Sequence, residues 1–305
     1  MPELPEVETV LRGLRARVLG RGLTEVVVHN AQVIHGNPET FADGLAGRRV
    51  EALHRKGKAL AIELVRQDRH PAATDQSNGP DREDGKNACF LLVRLGMTGQ
   101  LTVAPRDAEL QPHTHVRILL EGGAEELRYR DVRRFGRLRC CTAAELESIL
   151  GRLGPDAPTM SEQEFFAAMT GRSGAVKGWL LNQQMLAGLG NIYADEALFE
   201  ARIHPLTQPG RLRAADARRL LRAVKRVLKR AVELQGTSFR DYLDIEGQPG
   251  NFSPRLKVYQ RTGEPCRRCR GRIQRLVIAG RSSHFCPKCQ PRPRRSARPV
   301  RKSKA

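Results

Sequence analysis

Two residues at the front of the chain are of types that can do covalent chemistry: Pro2, directly behind Met1, and Glu3 after it. Met1 is readily trimmed when a small residue follows, so the mature chain is expected to begin with the secondary amine of Pro2. An α-amino group titrates near ~8 and a lysine near ~10.4, so at neutral pH far more of the former is unprotonated. Condensed with a sugar aldehyde carbon, a secondary amine gives an iminium that is cationic without a proton, an electron sink suited to elimination. Glu3 stands beside it as a proton donor or acceptor. The residues just behind have a plainer reading. Pro5, Glu6 and Glu8 around Val7, Val10, Leu11 and Leu14 are how a helix begins, with Pro in the first turn and acids near the positive end of the macrodipole. That helix accounts for Pro5, Glu6 and Glu8 but not for Pro2 and Glu3, which precede it.

A second chemistry is written in the cysteines. Cys266 and Cys269, then Cys286 and Cys289, form two pairs with two-residue spacers, separated by sixteen residues. Each spacer lets one tight turn present two thiolates, and two such turns close a tetrahedron around zinc. All four positions are cysteine, so the expectation is one structural zinc ion with no open position for catalysis, and no redox or nucleotide cofactor. Cys89, Cys140 and Cys141 follow no pattern and read as reduced thiols. Between the pairs, Ile273, Leu276, Val277 and Ile278 suit a β-hairpin with Arg281 at its turn, where it is either a solvated residue or one that reaches a phosphate.

Three glycine-bearing stretches complete the set. In Gly188-Leu189-Gly190-Asn191-Ile192-Tyr193-Ala194, a helix beginning at Asn191 points free amides outward and resembles half of a helix-turn-helix gripping a phosphate; Asn is also an ordinary cap. Gly96-Met97-Thr98-Gly99 and Arg133-Arg134-Phe135-Gly136 each place a bulky apolar side chain in a short turn. Such side chains either pack in a core or fill the hole left by an extruded base. Lys58 opens a strand on whose face Leu60, Ile62 and Leu64 recur with period two, so it either snorkels or lines a site.

These residues need a scaffold. Short apolar or alternating runs at 25–29, 50–53, 59–65, 89–95, 101–103, 116–120, 127–129 and 137–141 predict an antiparallel sandwich or barrel. Residues 67–87, rich in Pro, Gly, Asp, Ser and Asn, read as an exposed insertion between two strands. Beyond 151–158 the chain turns helical, and Leu220, Val224, Val227, Leu228 and Ala231 carry the spacing of an amphipathic helix. The expected fold class is α+β in two domains. An N-terminal antiparallel β-sandwich with flanking helices spans 1–150, with a hinge at 151–158. A helical domain follows over 159–250, then a four-cysteine zinc module over 251–290 and a disordered basic tail over 291–305.

Charge names the partner class. Against 33 acidic residues stand 53 Lys and Arg, a formal net charge of +20. Such a field attracts polyanions, and each phosphate neutralised releases counterions. Nucleic acid is therefore the expected partner. No apolar run approaches the ~18 residues of a membrane span and no signal peptide is evident, so the expectation is a cytoplasmic protein with no membrane partner.

Taken in order, Pro2-Glu3-Leu4-Pro5-Glu6, Lys58, the Gly96-Met97 turn, Arg133-Arg134-Phe135-Gly136, Gly190-Asn191-Ile192-Tyr193 and the terminal four cysteines resemble bacterial formamidopyrimidine-DNA glycosylase, of the formamidopyrimidine-DNA glycosylase and endonuclease VIII family. The resemblance runs from Met1 to about Gln290. It implies a β-sandwich and a helical domain with a helix-two-turn-helix and zinc finger that clamp damaged double-stranded DNA, acting as a monomer near the bacterial nucleoid. The implied activity is base excision repair: excision of 8-oxoguanine and formamidopyrimidines, then nicking of the abasic strand by β,δ-elimination.

Carried over residue by residue, Pro2 resembles the Schiff-base nucleophile, Glu3 the proton donor, Lys58 a phosphate-contacting group of the β-elimination step and Arg281 the finger arginine of the final elimination. Asn191, His113, Arg133 and Arg172 match DNA-binding positions, although Arg172 stands where the family often carries Lys. Met97, Arg133 and Phe135 resemble the trio that fills the vacated stack. Val132 replaces a usual Pro, and the 67–87 insertion is extra. Gln248 to Ser253 belong to the loop that the resemblance closes over a flipped base. Two other readings compete: an endonuclease VIII-like glycosylase for oxidised pyrimidines, against which Leu4 speaks because that branch commonly has Gly there, and a noncatalytic zinc-finger DNA-binding protein.

Overall fold

Eight short strands, all paired antiparallel, account for the N-terminal half. The computed structural model describes residues 2–66, 88–239 and 242–292; the expected insertion at 67–87 and nearly all of the expected tail lie outside the described residues. The strands are β1 (Gly22–Val28), β2 (Arg48–Lys56), β3 (Ala59–Arg66), β4 (Cys89–Arg94), β5 (Gly99–Pro105), β6 (Thr114–Leu120), β7 (Glu125–Asp131) and β8 (Arg137–Cys141), in the order β5-β7-β6-β1-β2-β3-β4-β8. The β1–β2 link holds only two residue pairs, Gly22 with Arg49 and Leu23 with Arg48. Two four-stranded halves therefore meet at a short corner and share one core, to which Ile118 and Leu127 contribute from one half and Leu60, Ile62 and Leu91 from the other.

The helix α1 (Leu4–Val18) is the expected one. Pro5 lies in its first turn, and Val7, Val10, Leu11, Leu14 and Val18 are buried at helical spacing against β2, β3 and β5. Strand β4 is apolar throughout because both its faces are covered. Cys89, Leu91 and Val93 enter the main core, while Phe90 and Leu92 meet Leu146 of α3 (Ala143–Gly151). The helix α2 (Pro38–Leu45), capped by the Asn37 side chain, packs on β1, β4 and β8.

The chain divides into two compact units that are discontinuous in sequence. The first comprises Met1–Thr159, Gln183–Leu189 and Leu228–Arg255, and the second Met160–Asn182, Gly190–Val227 and Leu256–Ala305. Sequence order gives contiguous spans; contacts made by the excursions 183–189 and 228–255 return them to the first unit. The second unit holds α4 (Glu162–Met169), α5 (Val176–Leu181), α6 (Asn191–Glu200), the first part of α7 (Ala214–Glu233) and the hairpin of β9 (Gln274–Ile278) and β10 (Arg281–Phe285). Among the described residues no helix is long and apolar enough to cross a membrane.

Helix α6 is buried on every side from Ile192 to Phe199, including two acids. Buried charges persist only when paired or hydrogen-bonded, and both are. Asp195 meets Lys177 Nζ at 2.6 Å and accepts from the backbone N–H of His284 at 2.8 Å. Glu196 accepts the backbone N–H groups of Lys257, Val258 and Tyr259 at 2.9 to 3.0 Å. Burial pushes the Glu196 carboxyl up, and those three amides oppose the rise.

In the first unit Glu126 of β7, fully buried, is gripped by Arg117 at 2.6 Å and Arg128 at 2.6 Å. Burial raises its proton affinity, but the hydrogen bonds and charges of the two arginines outweigh that and hold the carboxyl below its ordinary range. A depressed folded value means the stabilisation is present above the unfolded carboxylate value and is lost as pH falls through the folded one. Glu126→Gln should cost about 3 kcal/mol at pH 7 by leaving two arginines without their counter-charge, and the penalty should shrink in urea titrations carried out at successively lower pH below that of a free glutamate.

Candidate functional site

The first turn of α1 is fixed from two sides. Glu3 is its N-cap, and Glu3 and Glu6 form a reciprocal capping box in which the Glu3 backbone N–H donates to Glu6 Oε2 at 2.7 Å. The other oxygen of Glu6 accepts the Thr237 N–H at 2.8 Å, and the Tyr242 hydroxyl donates to the Glu6 carbonyl at 3.4 Å. On the second side Leu4 N–H donates to Gly188 O at 3.0 Å. Gly188 has φ +93°, and a Cβ there would stand 2.5 Å from Leu4 Cδ1, so no other residue fits without displacing the helix start. Pro2 and Glu3 are buried at this fixed point.

Lys58 does not open β3 as the alternation suggests. It lies in a two-residue turn with Gly57, because Lys56 pairs with Ala59 and Gly57 takes φ +58°. That turn is clamped: Asp156 accepts the Gly57 N–H at 2.7 Å and Arg55 Nη1 at 2.7 Å, while Arg55 Nε donates to Glu8 of α1 at 2.8 Å. Burial pushes the Glu8 carboxyl up, but hydrogen bonds and charge from Arg55 and Arg12 prevail and hold it below the usual range. A Cβ on Gly57 would lie 3.1 Å from Ala187 Cβ. The Lys58 turn and the first turn of α1 thus rest on the same short segment, Ala187–Gly188, which brings Pro2, Glu3 and Lys58 into one neighbourhood. The sequence reading gave Glu6 only its place in the first turn of the helix and missed Arg55 and Asp156; the Glu3 to Glu6 spacing of a capping box was the one available signal.

Ala59, next to Lys58, pairs with Arg94 and Arg94 with Arg137, so the loops that follow β4 and precede β8 lie at the same end of the strands as the Lys58 turn; there Arg133 and Phe135 are exposed and Met97 is half-buried, and His113, in the loop before β6, is exposed. Phe135 is 56% exposed, with the Arg133 guanidinium 4.6 Å over its ring. Exposure favours the surface reading of Phe135 over core packing. Gln248 N–H donates to Asp244 Oδ1 at 2.8 Å, and Gly250 N–H to Ser238 Oγ at 2.8 Å, so the expected lesion loop is tied to the segment that reaches Glu6.

In the second unit, Asn191 is the first residue of α6, and its Oδ1 is buried with no hydrogen-bond partner among the described residues. Arg172 is exposed, its backbone N–H and carbonyl held by Met169 O and the Gly210 N–H. Arg281 does not occupy the hairpin turn, which Ala279 at φ 49° and Gly280 at φ 69° fill; it opens β10 opposite Ile278 and is exposed.

The sulfurs of Cys266, Cys269, Cys286 and Cys289 all lie within 4.8 Å of one another. Four sulfurs at about 2.3 Å from a tetrahedral zinc stand about 3.8 Å apart. The Cys266–Cys289 and Cys269–Cys286 separations of 3.9 and 3.4 Å fit that figure and are too long for disulfides. Arg268 N–H donates to Cys266 Sγ at 3.4 Å, as expected of a thiolate-bearing knuckle. The Gln290 side chain bonds Cys286 N–H and Ile203 O at 3.0 and 2.8 Å, tying the cluster to the chain that leaves α6. The cluster is a structural zinc site.

On the role that the resemblance gives Lys58, Asp156→Asn should leave the zinc content intact while slowing strand cleavage by about tenfold or more, since it loosens the turn that carries Lys58; quenched-flow product analysis beside metal analysis checks this. Cys286→Ser should abolish stoichiometric zinc, read by native mass spectrometry, and expose the finger hairpin to limited proteolysis.

Three family models cover the chain: the formamidopyrimidine-DNA glycosylase N-terminal domain over residues 1–138, the formamidopyrimidine-DNA glycosylase H2TH domain over 152–242 and the zinc finger found in FPG and IleRS over 263–292. The formamidopyrimidine-DNA glycosylase of Heliobacterium modesticaldum is 42% identical over 298 residues, covering 95% of this chain and 100% of that protein. The MutM (FPG) protein of Thermus thermophilus is similar in structure, with a TM-score of 0.78 and 38% identity over 95% of this chain and 98% of that one. A Lactococcus lactis FPG mutant bound to Fapy-dG DNA gives a TM-score of 0.82 at 32% identity, over 95% of this chain and 100% of that one. Near-full-length identity at this level, with three family models in the same order, places the chain in the formamidopyrimidine-DNA glycosylase family.

Proposed function

We propose that the chain is a bifunctional DNA glycosylase and abasic-site lyase that removes oxidised purines from double-stranded DNA. The observation that carries the reading is the fixed first turn of α1, with Pro2 and Glu3 at its head and the Lys58 turn clamped to the same helix through Arg55 and Glu8. The relatives support the substrate class: the Lactococcus lactis protein is seen with Fapy-dG DNA and with abasic-site DNA, and a MutM with carbocyclic 8-oxo-G DNA.

After Met1 is removed, the Pro2 nitrogen attacks C1′ as the N-glycosidic bond breaks, and the base leaves with a proton. Glu3 protonates the ring oxygen as the sugar opens, leaving an iminium between Pro2 and C1′. That cation acidifies the C2′ proton. Its loss expels the 3′ phosphate, a second elimination expels the 5′ phosphate, and water releases Pro2. Lys58 holds a phosphate beside the departing bond. Arg172, Asn191 and Arg281 of the second unit contribute phosphate contacts, Arg281 at the final elimination, and His113, Arg133, Met97 and Phe135 contact the duplex. The place of Asn191 as the first residue of α6 supports its assignment, because the opening backbone N–H groups of a helix have no helical partners and suit a phosphate. Zinc holds the finger and takes no part in the bond changes. The protein acts as a monomer in the cytoplasm, associated with the nucleoid through its net charge of +20.

Duplexes bearing 8-oxoguanine, thymine glycol or an abasic site test the reading. Excision and nicking at 8-oxoguanine with a borohydride-trapped covalent adduct is the expected result. Preference for thymine glycol would move the chain to the pyrimidine branch, and absence of any adduct from correctly trimmed protein would reduce it to a DNA-binding module. Pro2→Gly and Glu3→Gln should each lower excision by about 100-fold or more, with DNA affinity at fixed salt little changed.

A further inference from the structure

The exposed side chains at the edge of the first unit belong to three separate loops, and one buried residue holds all three. Asp131 ends β7 and is fully buried. Its Oδ1 accepts from the Thr98 hydroxyl, in the loop that carries Met97, and from Arg133 N–H at 3.3 Å. Its Oδ2 accepts from Gly136 N–H at 2.7 Å and from the Tyr129 hydroxyl at 3.2 Å. Burial, then the Asp131 charge, pushes the Tyr129 phenol well above its usual range, so it remains a donor. The Asp131 backbone reaches the third loop: its N–H donates to His113 O at 3.1 Å, and its carbonyl meets His115 Nε2 at 2.9 Å. Thr98 closes the ring by accepting Arg133 N–H at 3.0 Å.

The loops also interlock through backbone. A Cβ on Gly96 would stand 2.5 Å from Gly136 N, and one on Gly136 only 1.9 Å from the Tyr129 hydroxyl oxygen. Two non-glycine residues here, His113 and Arg134, are held at φ 70° and 55°. Left-handed backbone at such residues persists only where the surroundings over-determine it, and it gathers at sites of function. Core packing does not explain the arrangement, since Phe135, Arg133 and His113 project outward from it.

We infer that Asp131 and Thr98 are positioning residues that register Met97, His113, Arg133 and Phe135 as one rigid wedge, preformed to displace a base from the stack. The inference rests on the glycosylase reading above. A wedge ordered in advance spends no binding energy on its own ordering, so that energy goes to unstacking the lesion pair, a step that costs least when the base is already unpaired. Registration should therefore matter for a lesion in a matched duplex and matter little for one in a bulge.

Thr98→Val keeps the shape and removes both hydrogen bonds of the hydroxyl. Under single turnover it should slow excision of 8-oxoguanine from a matched duplex by about tenfold, the cost of one hydrogen bond to a charged group, and by less than about twofold from a single-base bulge. Thr98→Ser should recover most of the loss. Equal slowing on both substrates would show a merely structural role and overturn the inference, as would no slowing on either. Thr98→Ala supplies the same comparison should the valine variant fail to fold. Failure of the wild-type chain to excise from either duplex would instead sink the glycosylase reading itself.

Discussion

The carboxylate of Glu6 is the interaction on which the order of the first residues depends. It is 1% exposed, and an ionised group so placed is tolerated only when its oxygens are taken up by donors. Here the donors are backbone: the Glu3 N–H on one oxygen and the Thr237 N–H on the other. The first fixes the direction in which residues ahead of α1 leave the helix, and the second ties them to the chain that continues through Ser238. A chain terminus is otherwise among the least ordered parts of a protein. The terminal turn gains its order from a side chain four positions behind Pro2.

The same device recurs wherever a loop must be held. Asp156 grips the Gly57 amide under Lys58, Asp131 grips the Arg133 and Gly136 amides, and Glu196 grips three successive amides at the entry to the zinc module. A carboxylate suits this task because it offers several acceptor sites to amides that a loop leaves without sheet or helix partners. Its burial makes the arrangement selective, since a displaced loop would leave a bare charge behind. The protein thus uses its few buried acids as internal fasteners, while its large excess of Arg and Lys remains for phosphate.

The second unit is organised around α6, whose acids Asp195 and Glu196 face different neighbours. Asp195 bonds Lys177 of α5 and His284 of β10, so the helix that presents Asn191 also sets the strand that begins with Arg281. The four cysteines close the opposite end of that hairpin. Zinc supplies cohesion to a segment with a small core of its own, in which Ile273 and Val258 pack beside the cysteine sulfurs.

Much of this was legible in the residues alone. All eight strands of the N-terminal sheet fall on the runs of alternating or apolar residues, α1 begins at its Pro and acids, and the cysteine spacing specifies a tetrahedral cluster, because each of these is set by local periodicity or by a short turn. Lys58 was misread for the same reason: period two places it on a strand, whereas Gly57 takes a left-handed conformation and closes a turn that alternation does not register. Arg281 moved by one step, from the turn into the strand, because Ala279 and Gly280 suffice for a two-residue connection. What the sequence by itself determined was the inventory of candidate site residues and the elements carrying them. Only the tertiary structure decided what holds those groups still, because the Glu6–Thr237, Gly57–Asp156 and Thr98–Asp131 contacts join residues far apart in the chain and leave no local pattern.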